Sequence, residues 1–189
     1  QVRFFELLFS ILGIAIGALM VPFLMIANWF WNRGPLFYTQ ERVGKDGALF
    51  KIYKFRSMVE NAEANGAVFS KIGDTRVTPF GKFLRKTRID EIPQFLNILK
   101  GDMGVIGPRP ERPMFVEEIS AIMPFYETRH IIKPGLTGWA QVNYNYGESI
   151  EESLVKLQYD LYYIKHRSVF IDISIVFKTI STVVFYRGQ

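Results

Sequence analysis

Residues 7–32 read LLFSILGIAIGALMVPFLMIANWFWN, a stretch with no charged side chain. As one helix it would extend roughly 39 Å at about 1.5 Å per residue, more than the roughly 30 Å of a bilayer's hydrocarbon core. It is too long for a secretory signal and lacks a basic leader and a small-residue cleavage site, so it reads as a membrane anchor. Pro22 removes a backbone donor and crowds the preceding turn, which predicts a kink. A kinked spanning helix and a re-entrant helix that dips in and returns both fit the hydropathy. Gly13 and Gly17 have the GxxxG spacing that lets a helix pack closely on a neighbour. Trp29, Phe30 and Trp31, followed by Arg33, resemble an aromatic belt where the chain leaves the membrane.

Outward from the anchor, the remaining residues 33–189 suit one domain with a sizeable core. The chain opens on Gln1, which fits the C-terminal part of a longer membrane protein. The formal net charge of +5 and pI near 9.4 predict an anionic partner: nucleic acid, lipid headgroups or phosphorylated metabolites. The absence of cysteine excludes disulfides, thiol nucleophiles and thiolate metal sites, so any metal must use oxygen ligands or the two histidines. His130 and His166 lack the spacing of a metal pair and read as structural or surface residues.

The expected fold class is mixed α/β and mostly helical. Strands at 37–39 and 49–55 around the turn 44–47 predict a small β-hairpin. Residues 60–75 are polar and irregular, a loop suited to covering a site. Thr78-Pro79 opens a helix, and Asp90–Leu99 (DEIPQFLNIL) reads as a second, with acids and proline in its first turn and Gly101 ending it. Further helices are expected at 113–130 and 148–166, with a turn-rich loop at 133–139 between them. The tail, 168–186, fits a strand or an amphipathic helix lying on the membrane.

Between Arg76 and Arg112 stand eight Lys or Arg against four acids, so Asp90 and Glu91 lie in basic surroundings. Cationic side chains hold phosphate oxygens through charge-assisted hydrogen bonds and spread the charge of a transferring phosphoryl group. An acid beside phosphates calls for an intervening cation, and Mg²⁺ suits oxygen ligands. A carboxylate can instead attack phosphorus, dividing one transfer into two steps. Spacing alone leaves ligand and nucleophile open, and Thr87-Arg88-Ile89-Asp90 also matches a capping box that needs no catalysis. In Gly107-Pro108-Arg109-Pro110, two prolines restrict the backbone around one guanidinium, an arrangement suited to phosphate. Trp139 suits stacking on a base or packing in a core.

Taken together, the sequence resembles the bacterial sugar transferase family, the monotopic polyprenol-phosphate phosphoglycosyl transferases. The resemblance rests on the anchor with Pro22, residues 50–58 (FKIYKFRSM), 81–85 (GKFLR), Asp90-Glu91 with Pro93, Gln94 and Asn97, 99–103 (LKGDM), 107–110 (GPRP) and 133–143 (KPGLTGWAQVN). It implies that Asp90 attacks the sugar-linked phosphate of a UDP-sugar, releasing UMP, and that undecaprenyl phosphate then takes the phosphosugar from the enzyme. It implies Glu91 as partner acid, Mg²⁺ as cofactor at Asp90 and Glu91, and Arg85 and Arg109 facing phosphate, with Lys54 and Arg56 added. It further implies a re-entrant helix kinked at Pro22, amphipathic interfacial helices, contact with membrane lipids, and a catalytic domain on the cytoplasmic face of the bacterial inner membrane, with no nucleic-acid partner. Many relatives carry serine before that proline, where this chain has Val21. The family's larger members carry preceding transmembrane helices. Residues 60–75 and 143–150 are the expected sugar-reading segments. The rival reading is a non-catalytic membrane-tethered module that binds anions, with Asp90 and Glu91 as capping acids.

Overall fold

The computed structural model describes residues 2–64, 66, 68, 73–144 and 150–184. Two compact units emerge: residues 1–39, 53–99 and 183–189 form the first, and 40–52 with 100–182 the second. The anchor helix shares a unit with the segment that carries Asp90.

In the first unit, α1 (Val2–Trp31) runs as one helix through Pro22. Its buried positions are Ser10, Gly13, Gly17, Leu24 and Asn28, a stripe at helical spacing, while Phe4, Phe9, Leu19, Phe23, Ile26 and Trp29 stay exposed. The stripe explains Gly13 and Gly17. A Cβ on Gly13 would lie 2.3 Å from the ring of Phe95, and one on Gly17 2.8 Å from Ile92. The close-packing spacing is therefore used within the chain, against the residues that follow Asp90-Glu91. Both ends of α1 are tied to the same unit. Arg3 donates to the carbonyls of Ile98 and Leu99, and Asn32 donates to the Arg56 carbonyl. Leu24, Phe55 and Leu84 form a small core with Met20, Val21, Phe80, Ile89 and Ile92 packed on it.

The hairpin comprises β1 (Phe37–Val43), longer than the expected 37–39, and β2 (Leu49–Phe55), as expected. Its turn is a single 3₁₀ turn, Lys45–Gly47, in which Asp46 and Gly47 take positive φ. Helix α2 (Pro79–Lys86) starts with Thr78 accepting from the Gly81 amide and Pro79 in the first turn.

The expected helix over 90–99 divides in two: a 3₁₀ helix, Ile89–Gln94, precedes α3 (Phe95–Lys100). Gly101, at φ +95, ends it as expected.

In the second unit, β3 (Gly104–Ile106) pairs in parallel with β4 (Gly135–Thr137), so a strand lies inside the expected 133–139 loop. The expected 113–130 helix also divides. Helix α4 (Pro113–Ile122) stops because Pro124 pushes Met123 into extended backbone. A 3₁₀ helix, Tyr126–Ile131, follows left-handed Phe125. Then come α5 (Trp139–Asn143), α6 (Ile150–His166) and α7 (Val169–Val184). The tail is thus a helix, with Val169, Phe170, Ile173, Phe177 and Ile180 exposed along one side. Lys178 sits over the Trp139 ring, which also stacks on Tyr162. His166 is exposed and rests on Tyr162, and half-buried His130 meets Tyr126 edge-on.

Candidate active site

Asp90 and Glu91 sit in the 3₁₀ helix that follows Arg88, whose φ of 59° is left-handed. A non-glycine residue there is uncommon and sets the chain turning sharply out of α2. The capping-box geometry is not realised. The Thr87 hydroxyl donates back to the carbonyls of Phe83 and Leu84, and the 3₁₀ helix has no side-chain cap. Asp90 and Glu91 are buried, at 6% and 7% exposure, where capping acids would normally face water.

Three elements surround the pair with cations. From β2, Lys54 Nζ lies 3.2 Å from Glu91 Oε1. Its strand is held in place by Asn97, fully buried in α3, whose Oδ1 accepts from the Tyr53 amide at 3.0 Å. From the left-handed turn, Arg88 Nη1 lies 3.8 Å from Glu91 Oε2. From α2, Arg85 donates through Nε to Ser57 Oγ at 2.8 Å. Ser57 can stand there because position 81 is glycine: a Cβ would fall 1.8 Å from the Ser57 carbonyl oxygen.

Burial, then the neighbouring Glu91 charge, pushes the Asp90 carboxyl up to about 6, with Lys54, Arg85 and Arg88 pulling the other way. Asp90 Oδ1 is buried without a hydrogen-bond partner among the described residues. An orphaned acceptor of this kind costs free energy and is a usual mark of a group kept for chemistry.

The structure thus brings Asp90, Glu91, Lys54 and Arg85 into one unit and adds Arg88, Ser57 and Asn97. Arg88 stood in the basic run of the sequence, but its left-handed backbone gave no signal there. Arg56 behaves differently. Its donors go to the carbonyls of Pro35, Met58, Asn32 and Arg33 and to Asn32 Oδ1, which uses all five N–H groups where the anchor meets the hairpin.

Arg109 belongs to the second unit, in a loop whose carbonyls are all engaged. Those of Pro108, Arg109, Pro110, Glu111 and Arg112 accept from Gly135 N, Arg129 Nη2, Arg42 Nη1, Val43 N and Val116 N. The rigidity expected of the prolines is therefore matched by backbone hydrogen bonding. Arg129 itself is buried, 2.7 Å from Asp160 and 2.6 Å from the Tyr126 hydroxyl. Nothing in the sequence separated it from a surface basic residue.

Among the described residues no three His, Asp or Glu side chains cluster as a metal cage. The donor set that suits a cation shared with phosphate is Asp90 with Glu91. Of the expected sugar-reading segments, residues 65, 67, 69–72 and 145–149 lie outside the described residues.

The description of one protein family, "Bacterial sugar transferase", matches residues 1–186. A UDP-N-acetylgalactosamine-undecaprenyl-phosphate N-acetylgalactosaminephosphotransferase from Aeromonas hydrophila is 53% identical over 150 residues, which is 79% of this chain and 36% of the relative. A putative undecaprenyl-phosphate N-acetylgalactosaminyl 1-phosphate transferase from Bacillus subtilis is 49% identical over 67% of this chain and 71% of the relative. The UDP-glucose:undecaprenyl-phosphate glucose-1-phosphate transferase of Escherichia coli is 42% identical over 78% of this chain and 32% of the relative. The chain thus spans about a third of the length of the first and third of these relatives.

Proposed function

This chain belongs to the bacterial sugar transferase family, and on that footing we propose that it moves a sugar 1-phosphate from a UDP-sugar to undecaprenyl phosphate through a phosphosugar carried on Asp90. The observation that carries the reading is the buried Asp90 carboxyl, with an unpartnered oxygen and the charges of Lys54, Arg85 and Arg88 acting on it.

An Asp90 oxygen attacks the sugar-linked phosphorus, the bond from that phosphorus to the bridging oxygen breaks, and UMP leaves. An oxygen of undecaprenyl phosphate then attacks the same phosphorus, the bond to Asp90 breaks, and the carboxylate is regenerated. Arg85 and Arg88 offer guanidinium groups to the phosphate oxygens, and Arg109 is the expected third. Lys54 and Arg88 lie within ion-pair distance of Glu91 beside Asp90. Mg²⁺ held by Asp90 and Glu91 would neutralise diphosphate charge when bound. We assign Arg56 to holding the anchor against the hairpin, because its donors are spent on protein oxygens.

We further propose that α1 is re-entrant. Arg3 at one end and Asn32 at the other both bond to the unit that carries Asp90, which supports a helix that enters and leaves the membrane on one side. That side is the cytoplasmic face, where UDP-sugars are held, and the exposed apolar side of α7 suits the lipid surface.

The test is incubation of the membrane-embedded chain with UDP-sugars and undecaprenyl phosphate. UMP release that Asp90→Asn abolishes supports the reading. UDP release overturns it. Full function in Asp90→Asn favours the anion-binding module.

A further inference from the structure

Gln94 closes the 3₁₀ helix that carries Asp90 and is only 2% exposed, yet its side-chain Nε2 has no hydrogen-bond partner among the described residues. Buried polar groups are nearly always paired, because an unmade hydrogen bond leaves the cost of desolvation standing. An apolar side chain of the same shape would serve the fold as well or better. Folding therefore does not account for the amide, and the chemistry proposed so far gives it no part.

Its surroundings supply one. Residues three apart eclipse along a 3₁₀ helix, which sets Gln94 in one row with Glu91, and Asn97 continues that row into α3. Both neighbours in the row reach the hairpin's second strand: Glu91 Oε1 lies 3.2 Å from Lys54 Nζ, and Asn97 Oδ1 accepts from the Tyr53 amide at 3.0 Å. The other side of the segment is committed to the anchor, with Ile92 against Gly17 and Phe95 against Gly13. Gln94 thus stands in the row that leads back to the acids. Asp90 Oδ1, on the same short helix, is also buried without a partner among the described residues. One turn and a fraction of chain holds an unpaired acceptor on the proposed nucleophile and an unpaired donor four residues later.

An amide N–H needs an acceptor, and the acceptors that the proposed reaction delivers to Asp90 are phosphoryl oxygens. We infer that Gln94 is a further substrate-binding residue, its side-chain amide donating to an oxygen of the UDP-sugar's sugar-linked phosphate as that group joins Asp90. This inference rests on the proposed function and deepens it. Arg85 and Arg88 bring charge to the phosphate; Gln94 brings a directed hydrogen bond in a buried site, where such bonds are strongest.

The test uses the full membrane-embedded chain and Gln94→Met, which keeps the shape and removes the amide. UMP release is followed through the first turnover with UDP-sugar and no undecaprenyl phosphate, so that only the nucleotide sugar's phosphate is present, and thermal unfolding is measured alongside. The inference expects Gln94→Met to melt at or above the wild-type temperature. It expects the first-turnover rate to fall about tenfold to a hundredfold, the range for losing one hydrogen bond to a charged group. Gln94→Leu serves if the Met variant does not fold.

A wild-type first-turnover rate in either folded variant overturns the inference alone, even where slower turnover then appears on adding undecaprenyl phosphate. Melting lowered by more than a few degrees in both variants, or failure of both to fold, makes the amide a structural group and overturns it too. A wild-type chain that releases no UMP, or an Asp90→Asn variant that releases it at the wild-type rate, overturns the underlying reading and this inference with it.

Discussion

Lys54 Nζ lies 3.2 Å from Glu91 Oε1, which ties the end of the hairpin's second strand to the acid beside the proposed nucleophile. Both side chains are largely buried, at 17% and 9% exposure. Lys54→Met should therefore leave a buried carboxylate short of its nearest cation and destabilise the chain by about 1–3 kcal/mol. Lys54→Met/Glu91→Gln should recover most of that stability without recovering UMP release. Thermal unfolding and turnover of the two variants check this.

The anchor stripe gives a second prediction. Gly13→Val drives a methyl-bearing carbon into the Phe95 ring, and overpacking of this kind costs about 1–3 kcal/mol. Because Phe95 follows directly on the 3₁₀ helix of Asp90, turnover should fall as well. Phe95→Ala should restore part of it by opening the space, whereas Leu19→Val, on the exposed side of α1, should change neither. Activity and melting measured in the same vesicles separate these cases.

For Arg56 the expectation runs against a phosphate role. Arg56→Gln removes hydrogen bonds to several carbonyls of the anchor–hairpin junction, so melting should drop by an amount corresponding to about 3 kcal/mol or more. The surviving folded enzyme should keep its KM for UDP-sugar. A raised KM with unchanged melting would restore Arg56 to the phosphate site.

His130 sets a pH dependence of stability. Burial, reinforced by the Arg129 charge, lowers its pKa from 6.5 to about 4, so it stays neutral in the folded chain where the unfolded chain takes up a proton. The contribution is fully present above 6.5 and is lost as pH falls toward 4. His130→Asn, neutral throughout, should flatten the decline in melting temperature across that window. An unchanged slope between pH 6.5 and 4.5 would contradict the assignment.

Much of this arrangement was legible in the sequence because the signals were local. The uncharged run of 7–32, the turn at 44–47, Thr78-Pro79 before α2 and Gly101 after α3 each state their structure through residues within a few positions. What the sequence obscured was set at longer range or by backbone strain. Met123-Pro124 does break a helix, but apolar spacing on both sides masked the break. The β3–β4 pairing joins residues 104–106 to 135–137, with most of the second unit's first helices between them. The left-handed Arg88 turned the expected helix cap into a buried 3₁₀ segment. Lys54 near the end of β2 and Arg56 just beyond it looked alike, and only their partners distinguish an ion pair at the acid from a clasp on the anchor.

The proposed role of Asp90 is to bear the phosphosugar. It is tested most directly by intact-mass analysis of the protein after incubation with a UDP-sugar and no undecaprenyl phosphate. The expected result is a mass increase of one sugar phosphate, mapped to Asp90, accompanied by stoichiometric UMP, cleared on adding undecaprenyl phosphate and absent in Asp90→Asn. Product formation with no adduct at any stage, or an adduct that persists in Asp90→Asn, would contradict it.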